Sequence, residues 1–424
     1  MLKRLFWIVA WLVFIPGSVS AYSVLTHQAN VDSCWDKCIW PLLERRYPHA
    51  TNEQLLDAKA YAYGGAIIQD MGFYPFGSRL FTNLTHYVRS GDFVRNMLDE
   101  ARNREEYAFA LGALAHYAAD INGHPEGTNL AMASVYPELA AKYGKSITYE
   151  EAPKQHTQLE FAFDVVQVAA GHYRTENYHN SIGFKVSKPV LERGFEKTYG
   201  LALGQVIANV DLSIGSYRLA VKELIPTAAR AAWHAQRKEI HRLSPRAQRR
   251  DYMYHQSKRA YRREFGTDYE RPGFGARMFS WIVKVLPKIG PLRPFAFKLP
   301  TPEAQVYFRS SFHKVLVSYC TLLEREPNDT LKAGPRLPNT DFDTGHPTKV
   351  GEYALADETY GELVRKLADN KFEKIHPSLR QNILTFFDAN PKPPIAEDEK
   401  EATTIRETQQ ALKELRSLRV PKEG

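Results

Sequence analysis

The chain has 424 residues, a formal net charge of +8 and 44% hydrophobic residues. That length exceeds one ordinary helical domain and the apolar content is enough for a sizeable core, so a catalytic domain with an appended region is expected. No Gly-x-Gly-x-x-Gly or phosphate-loop pattern is present, which speaks against a nucleotide cofactor, and no Gly-x-Ser-x-Gly elbow points to a serine hydrolase.

Residues 1–21 read as a secretory signal. Lys3 and Arg4 precede an apolar stretch over 5–15, and Pro16 and Gly17 break it. The stretch is shorter than the roughly 20 residues a membrane-spanning helix needs. Val19, Ser20 and Ala21 form a small-residue cleavage site, which makes Tyr22 the first mature residue, five before His27. Residues 28–63 have helical character. Cys34 and Cys38 within it are one helical turn apart and poorly placed to bridge each other, since disulfide Cβ atoms approach to about 3.8 Å. Cys320 is the other cysteine, and all three are read as structural.

Gly64 and Gly65 open a loop that runs to Gly77 and carries Asp70 among aromatic residues. Asp70 there serves either an active site or an Asx turn. Tyr74 and Phe76 suit a substrate pocket and core packing equally. His86 follows, with Arg89 and Asp92 read as a surface turn. A helix is expected from about 104 to 120. Its apolar run is interrupted by His116 and Asp120, which lie one turn apart on one face. Asn122 and Gly123 should end it, and Pro125 should prevent its restart. His124 falls in that break. His156 and Glu160 repeat the spacing of four and begin an apolar helix to 170, where Asp164 extends the same face as a candidate partner orienting His156.

One His-x-x-x-Asp pair could be a hydrogen-bonded core pair. The full set, His27, Asp70, His86, His116, Asp120, His124, His156 and Glu160, is harder to explain that way, because five of the chain's 14 histidines occur in it. Imidazole and carboxylate are zinc's usual ligands other than thiolate. Eight side chains exceed one tetrahedral ion and point to two or three ions sharing a carboxylate. His49, His172, His179, His346 and His376 are assigned no role.

Further along, 187–235 is amphipathic helix with Leu201, Val206, Ile207, Val210, Ile214 and Leu219 as core candidates. Residues 242–263 hold eight Lys or Arg and one Asp, a balance of +7 that accounts for nearly all of the net charge, with Tyr252, Tyr254 and Tyr261 interleaved. This run suits an anionic membrane surface, a nucleic acid backbone or a solvated helix face. Residues 278–286 are apolar and suit either a bilayer interface or packing on the main domain. Helices are expected over 308–323, 354–369 and 377–388, a polar loop over 326–350, and a charged tail over 397–418. No repeat and no strand-rich region is present, so the chain is all-α, and the C-terminal half carries no readable chemistry.

The ordered ligand set resembles the zinc-dependent phospholipase C superfamily, whose fold and site are shared with the fungal single-strand nucleases. The match runs over roughly 22–170. His116 and Asp120 correspond to the family's His-x-x-x-Asp helix, His124 to its next histidine, and His156 and Glu160 to its His-x-x-x-Glu. Asp70 and His86 correspond to its early pair and His27 to its near-terminal histidine. The resemblance implies a multi-helix domain with a helical C-terminal extension and a trinuclear zinc cluster. It also implies that the amine and carbonyl of Tyr22 bind metal, that Asp120 bridges two ions, and that Asp70 is both ligand and catalytic residue, orienting the attacking water. Tyr22 replaces the family's usual Trp, and the gap from Asp120 to His124 is shorter than usual.

The expected layout is a signal over 1–21, the zinc domain over 22–235, a basic, partly amphipathic segment over 236–300, and a helical extension over 301–424. The expected function is that of a secreted or periplasmic phosphodiesterase cutting glycerophospholipids at a membrane surface into diacylglycerol and a phosphorylated head group. Two alternatives stand: a single-strand nuclease or nucleotidase, favoured by the Tyr22–His27 spacing, and a secreted binding protein with structural zinc alone. Glu160, in place of the nucleases' Asp, favours the phospholipase.

Overall fold

The computed structural model describes residues 23–74, 76–170, 184–219, 237, 238, 240–242, 245, 298–329, 332–390, 396 and 398–418. The signal, Tyr22, His172, His179, nearly all of the basic run and the apolar stretch 278–286 lie outside these residues. The described residues form helices and no sheet, with one isolated bridge between Thr340 and Pro347.

The elements in chain order are α1 Val24–Cys34, a π-turn Trp35–Ile39, α2 Trp40–Arg46, α3 Asn52–Ile68, a 3-10 turn Gln69–Phe73, α4 Arg79–Tyr87, α5 Ser90–Glu100, and α6 Arg104–Gly123. A second π-turn His124–Thr128 leads into α7 Asn129–Val135, α8 Pro137–Tyr143 and α9 Pro153–Ala170. After these come α10 Lys188–Tyr199, α11 Leu203–Val206 and α12 Val210–Leu219. The extension supplies α13 Pro302–Glu324, α14 Ala354–Asp369, α15 Pro377–Asp388 and α16 Glu399–Ser417.

Two central helices cross at the middle of this arrangement. The first, α3, starts at a capping box: Thr51 Oγ1 accepts from Gln54 N at 3.2 Å and Gln54 Oε1 accepts from Thr51 N at 2.9 Å. The other, α6, is capped by Asn103 Oδ1, which accepts from Glu106 N at 2.9 Å. From Glu106 to Asp120 α6 is buried on every side, as expected of a helix that is apolar all round. The two helices touch through small residues. A Cβ added at Gly65 would lie 1.8 Å from the Phe109 carbonyl oxygen, and one at Gly112 would lie 2.0 Å from that of Ala62.

Several expectations change here. Gly64 and Gly65 do not open a loop; they lie inside α3, where Gly65 permits the crossing and Gly64 admits the Lys185 carbonyl. Asn122 and Gly123 do not end the helical path. The chain continues through the π-turn, in which Asn129 N–H bonds to the His124 carbonyl, and resumes as α7. The wider turn accommodates Pro125, whose ring would otherwise press on a preceding carbonyl. Arg89 is buried, not at a surface turn. It bonds Asp92 at 2.8 Å and the Thr198 carbonyl at 2.8 Å.

The extension packs into the same core. Tyr319 on α13 donates to the Leu111 carbonyl of α6 at 2.8 Å, and Arg95 pairs with buried Glu326 at 2.7 Å. Cys38 and Cys320 form a disulfide across 282 residues, while Cys34 stays a buried thiol. Burial pushes the Cys34 thiol up to about 12, so it is inert.

Thiol titration should therefore find no reactive cysteine in the folded chain, one after unfolding, and three after reduction. A folded chain with two or more reactive thiols would contradict the bridge. Cys38→Ser with Cys320→Ser should cost about 2–5 kcal/mol of stability in denaturant unfolding, because the loop being closed is long. Gly65→Ala should cost about 1–3 kcal/mol by forcing α3 and α6 apart.

Candidate metal centre

The α3–α6 crossing creates the site. It brings the Ala66 carbonyl within 2.9 Å of His116 Nδ1. A carbonyl only accepts, so Nδ1 carries the proton and Nε2 is the lone-pair nitrogen of the neutral ring. The same logic holds for His86, whose Nδ1 donates to its own helix at the Thr82 carbonyl, 2.8 Å away. The two Nε2 atoms then face each other at 3.4 Å.

A fully buried carboxylate lies among these nitrogens. Asp120 is one turn past His116, and no hydrogen-bond donor reaches either of its oxygens. Four imidazole Nε2 atoms approach it: His116 at 3.0 Å, His86 at 3.5 Å, His27 at 3.6 Å and His124 at 3.9 Å. Asp70, second in the 3-10 turn after α3, adds an oxygen 3.3 Å from His86 Nε2 and 3.8 Å from His116 Nε2. His27 stands on α1 with its ring stacked on His116, centroids 4.2 Å apart.

The second end of the site lies between the π-turn and α9. His124 and His156 stack with centroids 5.3 Å apart. Asn129 Nδ2 donates to the Asp343 carbonyl at 2.7 Å, so its Oδ1 accepts from His156 Nε2 at 2.8 Å. His156 Nδ1 is thereby the acceptor nitrogen, and it faces Glu160 Oε1 at 2.8 Å.

Lone pairs converging in a dry interior repel one another unless a cation or protons lie between them. The titration behaviour reports this conflict. Burial pulls His27 down to about 4 and His156 to about 3. Burial also lowers His116, but Asp120 and Asp70 outweigh it and hold this ring up at about 9. Glu160 is pushed well above the carboxylate range, first by burial and then by Asp120, Asp70 and Asp343. Donors bound to one tetrahedral zinc at about 2.0–2.1 Å lie about 3.3 Å apart, close to the separations around Asp120. The donor set therefore fits metal. Among the described residues three groups of imidazole and carboxylate donors lie within 4.8 Å of one another: His27, His116 and Asp120; Asp70, His86 and His116; His124, His156 and Asp343.

Residues 26–209 match the family model for zinc-dependent phospholipase C. Over these residues the chain is similar to that family. No curated protein and no solved structure matches the chain. Among the described residues this region is helical without strands, as expected, and the match supports a zinc-dependent hydrolase of phosphoric esters.

All eight side chains singled out in sequence lie in the family domain's buried site. His124 needs no loop to reach Asp120: the helix continues through it, so His116, Asp120 and His124 follow one another a turn apart on one face. Asp164 does not orient His156. It accepts from Leu25 N at 3.1 Å and Thr26 Oγ1 at 2.6 Å, and so fixes the start of α1 just before His27. Tyr74 is core, packed on Tyr217 with centroids 4.3 Å apart. Phe73 and Tyr149 instead flank the ligands, Phe73 against His86 and Tyr149 against His156. The thiols form no metal site, because Cys38 is bonded to Cys320. Asp343 was missed. Only its carboxylate chemistry signalled it, in a polar loop with many such residues.

Asp120→Asn should reduce zinc content by more than one equivalent per chain, since its two oxygens face different imidazoles. Metal analysis after dialysis checks this, and unchanged content would remove the shared-carboxylate role.

Proposed function

We propose that the mature chain begins at Tyr22 after export and is a phospholipase C. It holds two or three zinc ions through the Tyr22 amine and carbonyl, His27, Asp70, His86, His116, Asp120, His124, His156 and Glu160. The observation that carries this reading is the buried Asp120 carboxylate, lacking any donor and approached by four imidazole nitrogens. A structural zinc closes with four ligands, and this set exceeds that number, which speaks against a purely structural role.

When bound, zinc acts as a Lewis acid on phosphoryl oxygens and lowers the pKa of water. The chain's own residues do the rest. His86 and His116 keep their Nε2 atoms inward because the Thr82 and Ala66 carbonyls hold their Nδ1 protons. Asp70 Oδ1, buried and without a donor, accepts the hydrogen bond that orients the attacking water in line with phosphorus. Phe73 and Tyr149 exclude bulk water beside His86 and His156. Exposed Arg79, over the Phe73 ring at 5.0 Å and bonded to Tyr149 Oη at 3.3 Å, offers positive charge to an incoming phosphate.

The substrate class is a glycerophospholipid, cut to diacylglycerol and a phosphorylated head group. Glu160 favours this branch of the family. The +7 balance over 242–263 suits an anionic membrane surface, and among the described residues no helix is long and apolar enough to cross a membrane. The same charge, together with the Tyr22–His27 spacing, supports single-stranded nucleic acid as the second reading.

The deciding experiment assays protein starting at Tyr22 for zinc content and for hydrolysis of phosphatidylcholine and single-stranded DNA. Two or three zincs with lipid cleavage is the expected result; DNA cleavage alone would transfer the protein to the nuclease reading. Residues added before Tyr22 should lower activity and zinc content together, and a fully active tagged form would remove the terminal amine from the ligand set.

A further inference from the structure

The loop between α13 and α14 lies outside residues 26–209, yet it enters the metal centre. Asp343 in this loop is 1% exposed. Its Oδ1 accepts from His124 Nδ1 at 2.9 Å, and its Oδ2 accepts from Tyr149 N at 2.8 Å and from the Tyr353 hydroxyl. Its backbone carbonyl accepts from Asn129 Nδ2 at 2.7 Å, and Asn129 holds His156. One residue thus fixes both stacked imidazoles, one through its side chain and the other through its backbone. Both carboxylate oxygens already have donors, so Asp343 differs from Asp120, whose oxygens have none.

The loop is held firmly in this place. Asp341 Oδ1 accepts from Asp343 N at 2.8 Å, and Asp341 Oδ2 accepts from Thr344 Oγ1 at 2.9 Å. Phe342 N donates to the His86 carbonyl at 3.2 Å, and the Phe342 ring lies on that of His86 with centroids 5.1 Å apart. Ser90 Oγ donates to the Thr340 carbonyl at 2.6 Å, and Tyr117 Oη to that of Pro338 at 2.9 Å. Upstream, the Cys38–Cys320 bridge and the Arg95–Glu326 pair anchor the segment that delivers the loop.

We propose that Asp343 is the positioning residue for the His124, His156 and Glu160 end of the metal centre, so that the C-terminal extension completes a site the family domain does not close by itself. This rests on the metal-centre reading above. A carboxylate on the far nitrogen of a ligating imidazole fixes its tautomer and ring orientation and raises its basicity. Loss of such a partner typically costs about 10–100-fold in metal affinity. Nothing in this role requires Asp343 to touch substrate.

The test compares full-length mature wild type, Asp343→Ala and Asp343→Asn. Zinc per chain is measured across a graded series of chelator concentrations, alongside the visible spectrum of the cobalt-substituted protein and the helical circular dichroism. For Asp343→Ala, one equivalent should be lost at about 10–100-fold lower chelator than in wild type, with the other equivalents retained and the helical signal unchanged. Asp343→Asn keeps an oxygen that can accept from His124 Nδ1 but lacks the charge, so it should fall between the two. The cobalt spectrum should change for the one ion alone.

Wild-type metal affinity in both variants would overturn the proposal. So would an Asn variant that loses all its metal together with its helical signal, since that is loss of fold and not of one ligand's orientation. If Asp343→Ala fails to fold, Asp343→Asn decides. Wild-type zinc content is read in the same experiment, so a wild type that binds no zinc overturns the metal-centre reading and this proposal together, whereas wild-type zinc with unchanged variants overturns this proposal alone.

Discussion

The structure depends on how closely α3 and α6 approach. Gly65 and Gly112 lack the side chains that would hold the helices apart, and each faces the other helix's backbone. The approach lets the Ala66 carbonyl accept from His116 Nδ1, which turns the other nitrogen of that ring toward Asp120. A helix pair separated by ordinary side chains would leave a buried imidazole with an undefined tautomer. The site's electrostatics thus begin with a steric fact about two glycines.

From that crossing outward, the centre is a set of acceptors held together by the surrounding fold. Backbone carbonyls occupy the Nδ1 protons of His86 and His116, Asn129 occupies Nε2 of His156, and Asp343 occupies Nδ1 of His124. What remains inside is a group of lone pairs and carboxylate oxygens with almost no donors. Such an interior is costly without a cation. Metal binding and the stability of this core are therefore coupled, since an ion that binds only the folded chain stabilises it.

The extension changes how the chain divides. Its first helix shares the core of the family domain, and its loop reaches the ligands at two points, Phe342 on His86 and Asp343 on His124. The disulfide joins residues 282 apart in sequence, and the loop that bonds His124 is likewise distant from it in sequence. The residues that match the family end at 209, so what holds His124, and through Asn129 His156, in place comes from beyond them.

The sequence by itself determined the helical class and singled out eight imidazole and carboxylate side chains that the fold buries. Imidazoles and carboxylates at helical spacing in an apolar run have few other uses, and an apolar helix interrupted at i and i+4 declares its own inward face. It also spoke against a bridge between Cys34 and Cys38, because cysteines one helical turn apart are poorly placed to pair. Only the tertiary structure decided the remainder, since those facts depend on approach between distant segments. Gly64 and Gly65 suggested a loop because a glycine pair signals a break until a second helix is seen against it. Pro125 suggested a stop because a π-turn leaves no distinct pattern in sequence. Asp164 suggested a partner for His156, since it shares that helix face, yet the start of α1 lies nearer. Asp343 was invisible because a polar loop reveals nothing of the buried imidazole against which its carboxylate comes to rest.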